Sequence, residues 1–411
     1  MLLLPTATIT SPKFCPEYRA VYTAFTTKPS SSVAVQQNLM VKTLVDGGVW
    51  TKMDVFYNYA SHTNGDGEAL LDWKQPEGSD DLLESDKGNF DTDIEGWVTH
   101  INNNVTRVYD PDALNDYALK ITYVDGVNGA TWYMRDAVDL NADLVIGKTY
   151  KLRMRCKSGG GTINWYAIGP NHFVTGNITN AAYQWYEGLF TATHTTNCRL
   201  SCAGSMAPGE ITYIDSIEVM EWTNATAYNA PTFTALEGFT GGATKYIDCN
   251  WNPSVNGVNF IKDSASIGVY SRTDNSEAAT EIGCVDTAAD DWMFAALSWS
   301  GTGNYRLNDN SGGSVLVANT TGLFIYTRTA SNAIVAYRNK VSIDTDTDVS
   351  TDIPSFNMFA LGRNVDGVLA APSTKQLSMA FAGAGFTQTD VDNLTDRFEA
   401  YMDSNGKGVI T

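Results

Sequence analysis

The sequence predicts a mainly β protein built from two β-sandwich (jelly-roll) domains, one inserted into the other, with a short N-terminal helical segment and a C-terminal helix. Short runs rich in β-branched and aromatic residues, near-alternating and separated by Gly, Asn and Asp, recur from Gly88 to Gly383. Helical periodicity is confined to the two ends of the chain. The run from Gly88 to Trp222 also reads as a complete strand set of its own. Were it cut out, Lys74-Gln75-Pro76 would lead through a turn of ordinary length into Pro231-Thr232-Phe233. The expected boundaries are an arm at 1–14, a discontinuous domain at 15–80 plus 226–411, and an insert at 85–222. Such insertion is tolerated where the inserted domain's own ends lie close together.

Taken in order, MLLLPTATITSPKF is an extended arm with no basic n-region, and Pro5 breaks its apolar run, so it makes a poor signal peptide. From Pro16, the residues Tyr18, Val21, Tyr22 and Phe25 mark one face of a short helix. Ser30 to Ser32 can cap a second helix that runs to about Val45 and stops at Gly47-Gly48. A third helix is expected to place Trp50, Met53, Phe56, Tyr57 and Ala60 on one side. Glu68 to Gly78 reads as a short apolar strand and a breaker. Within the insert, DYALKITYV, TWYMRDAVDL, GKTYKLRMRCKS, GTINWYAIG, YQWYEGLFTATH and ITYIDSIEVMEW are strands. Beyond Phe233 come about ten more, from KYIDCNW to QLSMAFAG, the pattern of a larger sandwich. The last element is the clearest helix: Thr387 and Asp390 make a capping pair, Val391, Leu394, Phe398 and Met402 form the apolar stripe, and Gly406 stops it.

Composition excludes several classes. With 27 basic against 46 acidic residues the net charge is −19, which repels a phosphate backbone, so no nucleic-acid partner is expected. No stretch approaches the roughly 18 apolar residues of a membrane helix, so no membrane insertion is expected. Cys15, Cys156, Cys198, Cys202, Cys249 and Cys284 lack any CxxC spacing or nearby His and read as buried free thiols. Retaining glycosidases need two carboxyls about 5 to 5.5 Å apart. The Glu-x-Asp at Glu84-Ser85-Asp86 is followed by Lys87 and Gly88, not by a second Glu. His62, His100, His172 and His194 are scattered, with no nucleophile elbow or HExxH pair, so the chain is expected not to be an enzyme. The acidic run Asp344 to Asp348 places Val349 and Ser355 where a calcium loop needs Gly and Glu, and reads as a solvated loop.

Phe90 to Gly96-Trp97, Gly147 to Tyr150, Trp185 to Thr191 and Ile214-Asp215 carry a resemblance to the jelly-roll carbohydrate-binding modules of bacterial glycanases. It covers about a third of the chain and implies glycan binding. It also implies a structural calcium between the first and last strands, for which Asn89, Asp91 and Asp215 are the matching positions. Pyranose C–H faces stack on flat rings. Three ring pairs, Trp132-Tyr133, Trp165-Tyr166 and Trp185-Tyr186, each have one member per sheet face. The family's strand pattern implies that Trp185 is core and that Trp132, Trp165 and Tyr166 are the platform.

Outside the insert, FTGGATKYID (Phe239 to Asp248), SIGVYSRT (Ser266 to Thr273), MFALGRN (Met358 to Asn364) and AFAGAGFTQTDVDNL (Ala380 to Leu394) resemble the concanavalin A-like, laminin-G-like sandwich of tailed-phage structural proteins. That resemblance implies a virion surface protein, a head fibre, decoration or tail fibre, made in the bacterial host cytoplasm. Its expected partners are other virion proteins, host or mucosal glycans, and further copies of itself as a dimer or trimer. The competing readings are a secreted bacterial glycan-binding protein or glycanase accessory, and a virion spacer that binds nothing.

Overall fold

The structure is a computed structural model that describes residues 14–76, 90, 103–114, 116–123, 131–133, 144–158, 164–167, 173–177, 179–192, 199–203 and 208–410. The chain divides into two compact units, a discontinuous one of Met1–Glu77 with Asn224–Thr411 and a continuous one of Gly78–Thr223. Both are β-sandwich folds.

In the discontinuous unit, two sheets enclose one apolar interior. The first runs in the order Thr232–Thr234, Gly238–Thr240, Gln376–Gly383, Ala265–Ser271, Gly322–Ala330, Ala333–Arg338, Val341–Asp346, with Met53–Tyr57 also paired to Gln376–Gly383. The second runs Thr226–Tyr228, Tyr246–Asp248, Phe359–Ala360, Ile282–Asp286, Asp291–Trp299, Thr302–Leu307, Ser314–Leu316, and Arg363–Val365 pairs in parallel with Ile282–Asp286. Ile267, Val269, Phe324 and Tyr326 from the first sheet meet Ile282, Met293, Ala295 and Tyr305 from the second. Each large side chain so buried contributes about 1.5–3 kcal/mol.

Helices cover the other face of the first sheet. Tyr270, Leu323, Met379 and Phe381 pack with Val21, Met40, Leu44, Val391, Leu394 and Phe398. Being covered on both sides, the strand Ala265–Ser271 is buried at every position. The helices Pro16–Ala24 and Ser31–Asp46 form as their periodicity predicts, the second capped where Ser30 Oγ accepts from Val33 N at 3.4 Å. Gln388–Ser404 opens with the capping box of Thr387 and Asp390. It closes where Gly406, at φ +67°, lets Lys407 N reach Met402 O at 2.8 Å.

Three local expectations are corrected. The third helix is a single 3₁₀ turn, Trp50–Lys52, followed by the strand Met53–Tyr57. Val55 and Tyr57 enter the sandwich interior while Met53 and Phe56 join the helical layer, with a bulge after Met53. A strand buried on both faces carries apolar residues at nearly every position, and that run also satisfies helical spacing. The strand expected from Glu68 is a 3₁₀ turn, Glu68–Leu70, and one bridge between Tyr57 and Asp72. Asp344 to Asp346 are not loop but the end of the strand Val341–Asp346, where Asp344 accepts from Tyr305 Oη at 3.0 Å.

The continuous unit has a five-stranded sheet, ordered Asn103–Tyr109, Tyr117–Tyr123, Ile211–Glu221, Thr149–Ser158, Gln184–Thr191. Its four-stranded sheet is ordered Thr131–Tyr133, Arg199–Ala203, Asn164–Ala167, Phe173–Asn177. Leu119, Ile121, Leu152, Met154, Ile214, Ile217 and Val219 are buried along one face of the larger sheet. Among the described residues Cys15, Cys156, Cys249 and Cys284 are free thiols, the last three buried, while Cys198 lies outside the described residues.

Arg328 and Asp309 of the discontinuous unit form a buried ion pair: both are 0% exposed and meet at 2.7 Å, and the guanidinium also donates to the carbonyls of Leu307, Ser331 and Asp348. Removing one partner strands the other charge. Asp309→Ala is expected to lower the unfolding free energy of this unit by about 3–5 kcal/mol, measured by denaturant titration.

Candidate functional site

The strand Thr149–Ser158 alternates strictly. Tyr150, Leu152, Met154 and Cys156 are buried, which turns Lys151, Arg153, Arg155 and Lys157 to the opposite face. Four cations in a row would repel one another, and each is answered by a carboxylate. Lys151 meets Glu187 at 2.8 Å, Arg153 meets Glu218 at 3.2 Å, Lys157 meets Asp110 at 2.6 Å, and Arg155 pairs with Asp215. Burial works to raise the Asp110 carboxyl, but Lys157, the amide of Asp112 and the Tyr183 hydroxyl hold it below its ordinary range.

Rings interleave with these pairs. The Arg153 guanidinium lies 3.9 Å from the Trp185 ring centroid, Lys151 lies 4.6 Å from Trp222, and Lys157 lies 4.3 Å from Tyr183 and 5.3 Å from Tyr213. Trp185 is 38% exposed and stands opposite Arg155 on the edge strand, so it is not core. Its neighbour Tyr186, opposite the buried Met154, is the inner member of that ring pair. On an edge strand either ring can turn inward, and only the register against Thr149–Ser158 decides. The face that results is amphiphilic. Rings can take the C–H side of a sugar while paired charges bond its hydroxyls, and no cation here calls for an anionic ligand.

The register of the smaller sheet separates the other expected platform residues. Trp132 stands opposite Leu200, and Trp165 opposite Cys202, two positions along the same strand. Both therefore belong to one face, whose other members, Leu200, Cys202, Ala167 and Phe173, are apolar. Tyr166 stands opposite Ser201 and belongs to the other face, with Tyr133, Arg199 and Asn164. The register sets Trp132 and Trp165 at positions of one phase and Tyr166 at the alternate one.

Of the expected calcium ligands, Asn89 and Asp91 lie outside the described residues. Asp215 Oδ2 accepts from Arg155 and from Leu114 N, the latter at 3.0 Å, while Oδ1 is buried without a partner. Burial raises the Asp215 carboxyl, against the pull of Leu114 N and Arg155. His62 bonds Thr27 O at 2.6 Å and lies edge-on to Phe25, while the other three histidines and Glu84 to Asp86 lie outside the described residues.

No protein-family model matches the chain, and no curated protein matches it. Among solved structures it is similar to the CBM22-1 xylan-binding domain of Paenibacillus barcinonensis Xyn10C, at 12% identity over 35% of this chain and 96% of that one, with a TM-score of 0.27. It is similar to TmCBM61 in complex with β-1,4-galactotriose, at 14% identity over 35% of this chain and 100% of that one, TM-score 0.26. The enzymatically active domain of bacteriophage CBA120 tailspike protein 4 matches at 13% identity over 34% of this chain and only 22% of that one, TM-score 0.25. Likeness this slight carries no argument about function, which has to come from the chain's own sheets.

Parity makes a stability prediction. Leu152→Ala, on the buried face of Thr149–Ser158, is expected to cost about 2–5 kcal/mol in equilibrium unfolding. Trp185→Ala, on the open edge, is expected to cost about 1 kcal/mol or less by the same measurement.

Proposed function

We propose that the continuous unit binds neutral glycans on the outward face of its five-stranded sheet, and that the chain is an adhesive protein with no catalytic step. The observation that carries this reading is the exposed Trp185 beside the ion-paired ladder of Lys151, Arg153, Arg155 and Lys157. Such a face offers stacking and many hydroxyl partners but no single deep pocket, which suits modest affinity for an extended saccharide. Modest affinity becomes useful when many copies act together. The resemblance of the discontinuous unit to tailed-phage structural sandwiches supports display on a virion surface, as a head fibre, decoration or tail fibre that oligomerises and is made in the host cytoplasm. Trp132, Trp165 and Tyr166, on strands of the smaller sheet, are the second candidate surface.

Titration of the full chain against neutral oligosaccharides such as xylohexaose and galactotriose tests the binding face. Trp185→Ala is expected to weaken the best of these by about tenfold, roughly 1.4 kcal/mol, with Tyr166→Ala leaving it unchanged. No response to any neutral glycan, or an unaltered response in Trp185→Ala, overturns the assignment. Mass spectrometry of purified particles tests the virion reading, which fails if the chain is absent from them.

A further inference from the structure

A second cluster of cations lies on the outward face of the second sheet of the discontinuous unit, and it is built differently. Phe294 is only 6% exposed, and two guanidiniums flank its ring, Arg306 at 5.7 Å and Arg363 at 4.9 Å from the centroid. Arg363 also lies 5.9 Å from the half-buried ring of Trp292. Among the described residues neither arginine forms an ion pair, and the nearby Asp309, whose carboxyl burial raises and Arg306 helps to lower, is bonded to Arg328. Arg306 makes one hydrogen bond, from Nη1 to the Tyr305 carbonyl at 2.9 Å, and its Nε is buried without a partner. Arg363 makes none, and its Nε is likewise buried and unpartnered. Asp290, two residues before Trp292, is already held by the Trp292 indole at 3.1 Å and by Asn310.

In a chain of net charge −19, where every cation of the ladder in the other unit is matched, two adjacent guanidiniums left unmatched need a reason. Proximity of like charges and loss of water both disfavour the arrangement; burial, and then Arg306, lower the pKa of Arg363. The site is nonetheless held in place. Gly312, at φ +60°, lies so close to the Arg306 stem that a Cβ there would meet Cδ at 2.6 Å. Gly283, cross-strand from Phe294, leaves no side chain where a Cβ would meet that of Phe294 at 2.4 Å. Arg306 is thereby fixed between a ring and a turn, and the half-buried guanidinium pair keeps unused donors beside an aromatic edge. Guanidinium forks match planar or tetrahedral oxyanions, and an indole edge suits a sugar ring.

We propose that Arg306 and Arg363, with Trp292 beside Arg363, form a binding site for an acidic saccharide, whose carboxylate or sulfate takes the unused guanidinium donors while the sugar ring lies against Trp292. The site is separate from the glycan face of the continuous unit and does not depend on it.

The test is titration of the full chain, followed by tryptophan fluorescence and calorimetry. The probes are an oligogalacturonate, a chondroitin sulfate oligosaccharide, neutral xylohexaose and inorganic sulfate. At least one acidic oligosaccharide is expected to bind, to weaken as salt rises, and not to be displaced by xylohexaose. A carboxylate or a sulfate preference identifies which oxyanion is read. Arg306→Met with Arg363→Met is expected to reduce that affinity by about tenfold or more, and Trp185→Ala to leave it unchanged. Arg363→Met alone is expected to keep or raise the thermal midpoint, since an unpaired charge is being removed from a half-buried place. The assignment is overturned if neither acidic oligosaccharide binds, if the double variant binds as well as the parent, or if Arg363→Met lowers the midpoint by several degrees. Inorganic sulfate binding as tightly as the oligosaccharides would show an anion trap and overturn the saccharide assignment.

Discussion

The discontinuous unit exists because residues before 77 and after 224 are locked into one sheet and one interior. Met53–Tyr57 pairs with Gln376–Gly383, setting Phe56 opposite Phe381 and Tyr57 opposite Ala380. Asn224 then closes the junction: its Oδ1 accepts from Asp72 N at 2.7 Å, its Nδ2 donates to Pro76 O at 3.1 Å, and its carbonyl accepts from Asn250 Nδ2 at 2.6 Å. The next residue, Ala225, donates to Leu70 O at 2.8 Å. Two chain segments far apart in sequence thus share buried hydrogen bonds that neither could make alone, and a buried amide left unpaired would cost about 1–3 kcal/mol. The N-terminal helices depend on this closure, because the sheet face they cover includes Phe381 and Phe56.

Charge matching distinguishes the two candidate surfaces. On the five-stranded sheet, alternation places four cations in a row and the neighbouring strands supply an acid for each, so the face is close to neutral and its rings and donors suit uncharged hydroxyls. On the second sheet of the discontinuous unit, aromatic rings flank Arg306 and Arg363, and among the described residues neither guanidinium forms an ion pair. The difference comes from what stands across the strand: Glu218 opposite Arg153 in one case, Phe294 opposite Arg306 in the other.

Much of the fold was legible. The capping pair Thr387 and Asp390, the serine cap at Ser30 and the apolar stripe of the last helix are local signals, written within one or two turns of chain. Most strands after Phe233 were legible for the same reason. The errors lie where burial on both faces removes periodicity, as at Met53–Tyr57, and where only an across-strand neighbour decides which ring turns inward, as at Trp185. The re-entry of the chain was expected at 226 and falls at Asn224, whose side-chain bonds to residues about 150 positions away no local signal records.

By itself the sequence determined the class of fold, the caps of its main helices and most of its strands, because these follow from propensity, capping and spacing among near neighbours. It also determined the acidic balance of the chain. Only the tertiary structure decided which aromatic residues are exposed, that Asp215 is tied to Arg155, and that two arginines stand without acids on an aromatic surface. Those outcomes depend on strand register, which shifts a side chain from interior to surface with a slip of one residue and leaves no trace in local composition.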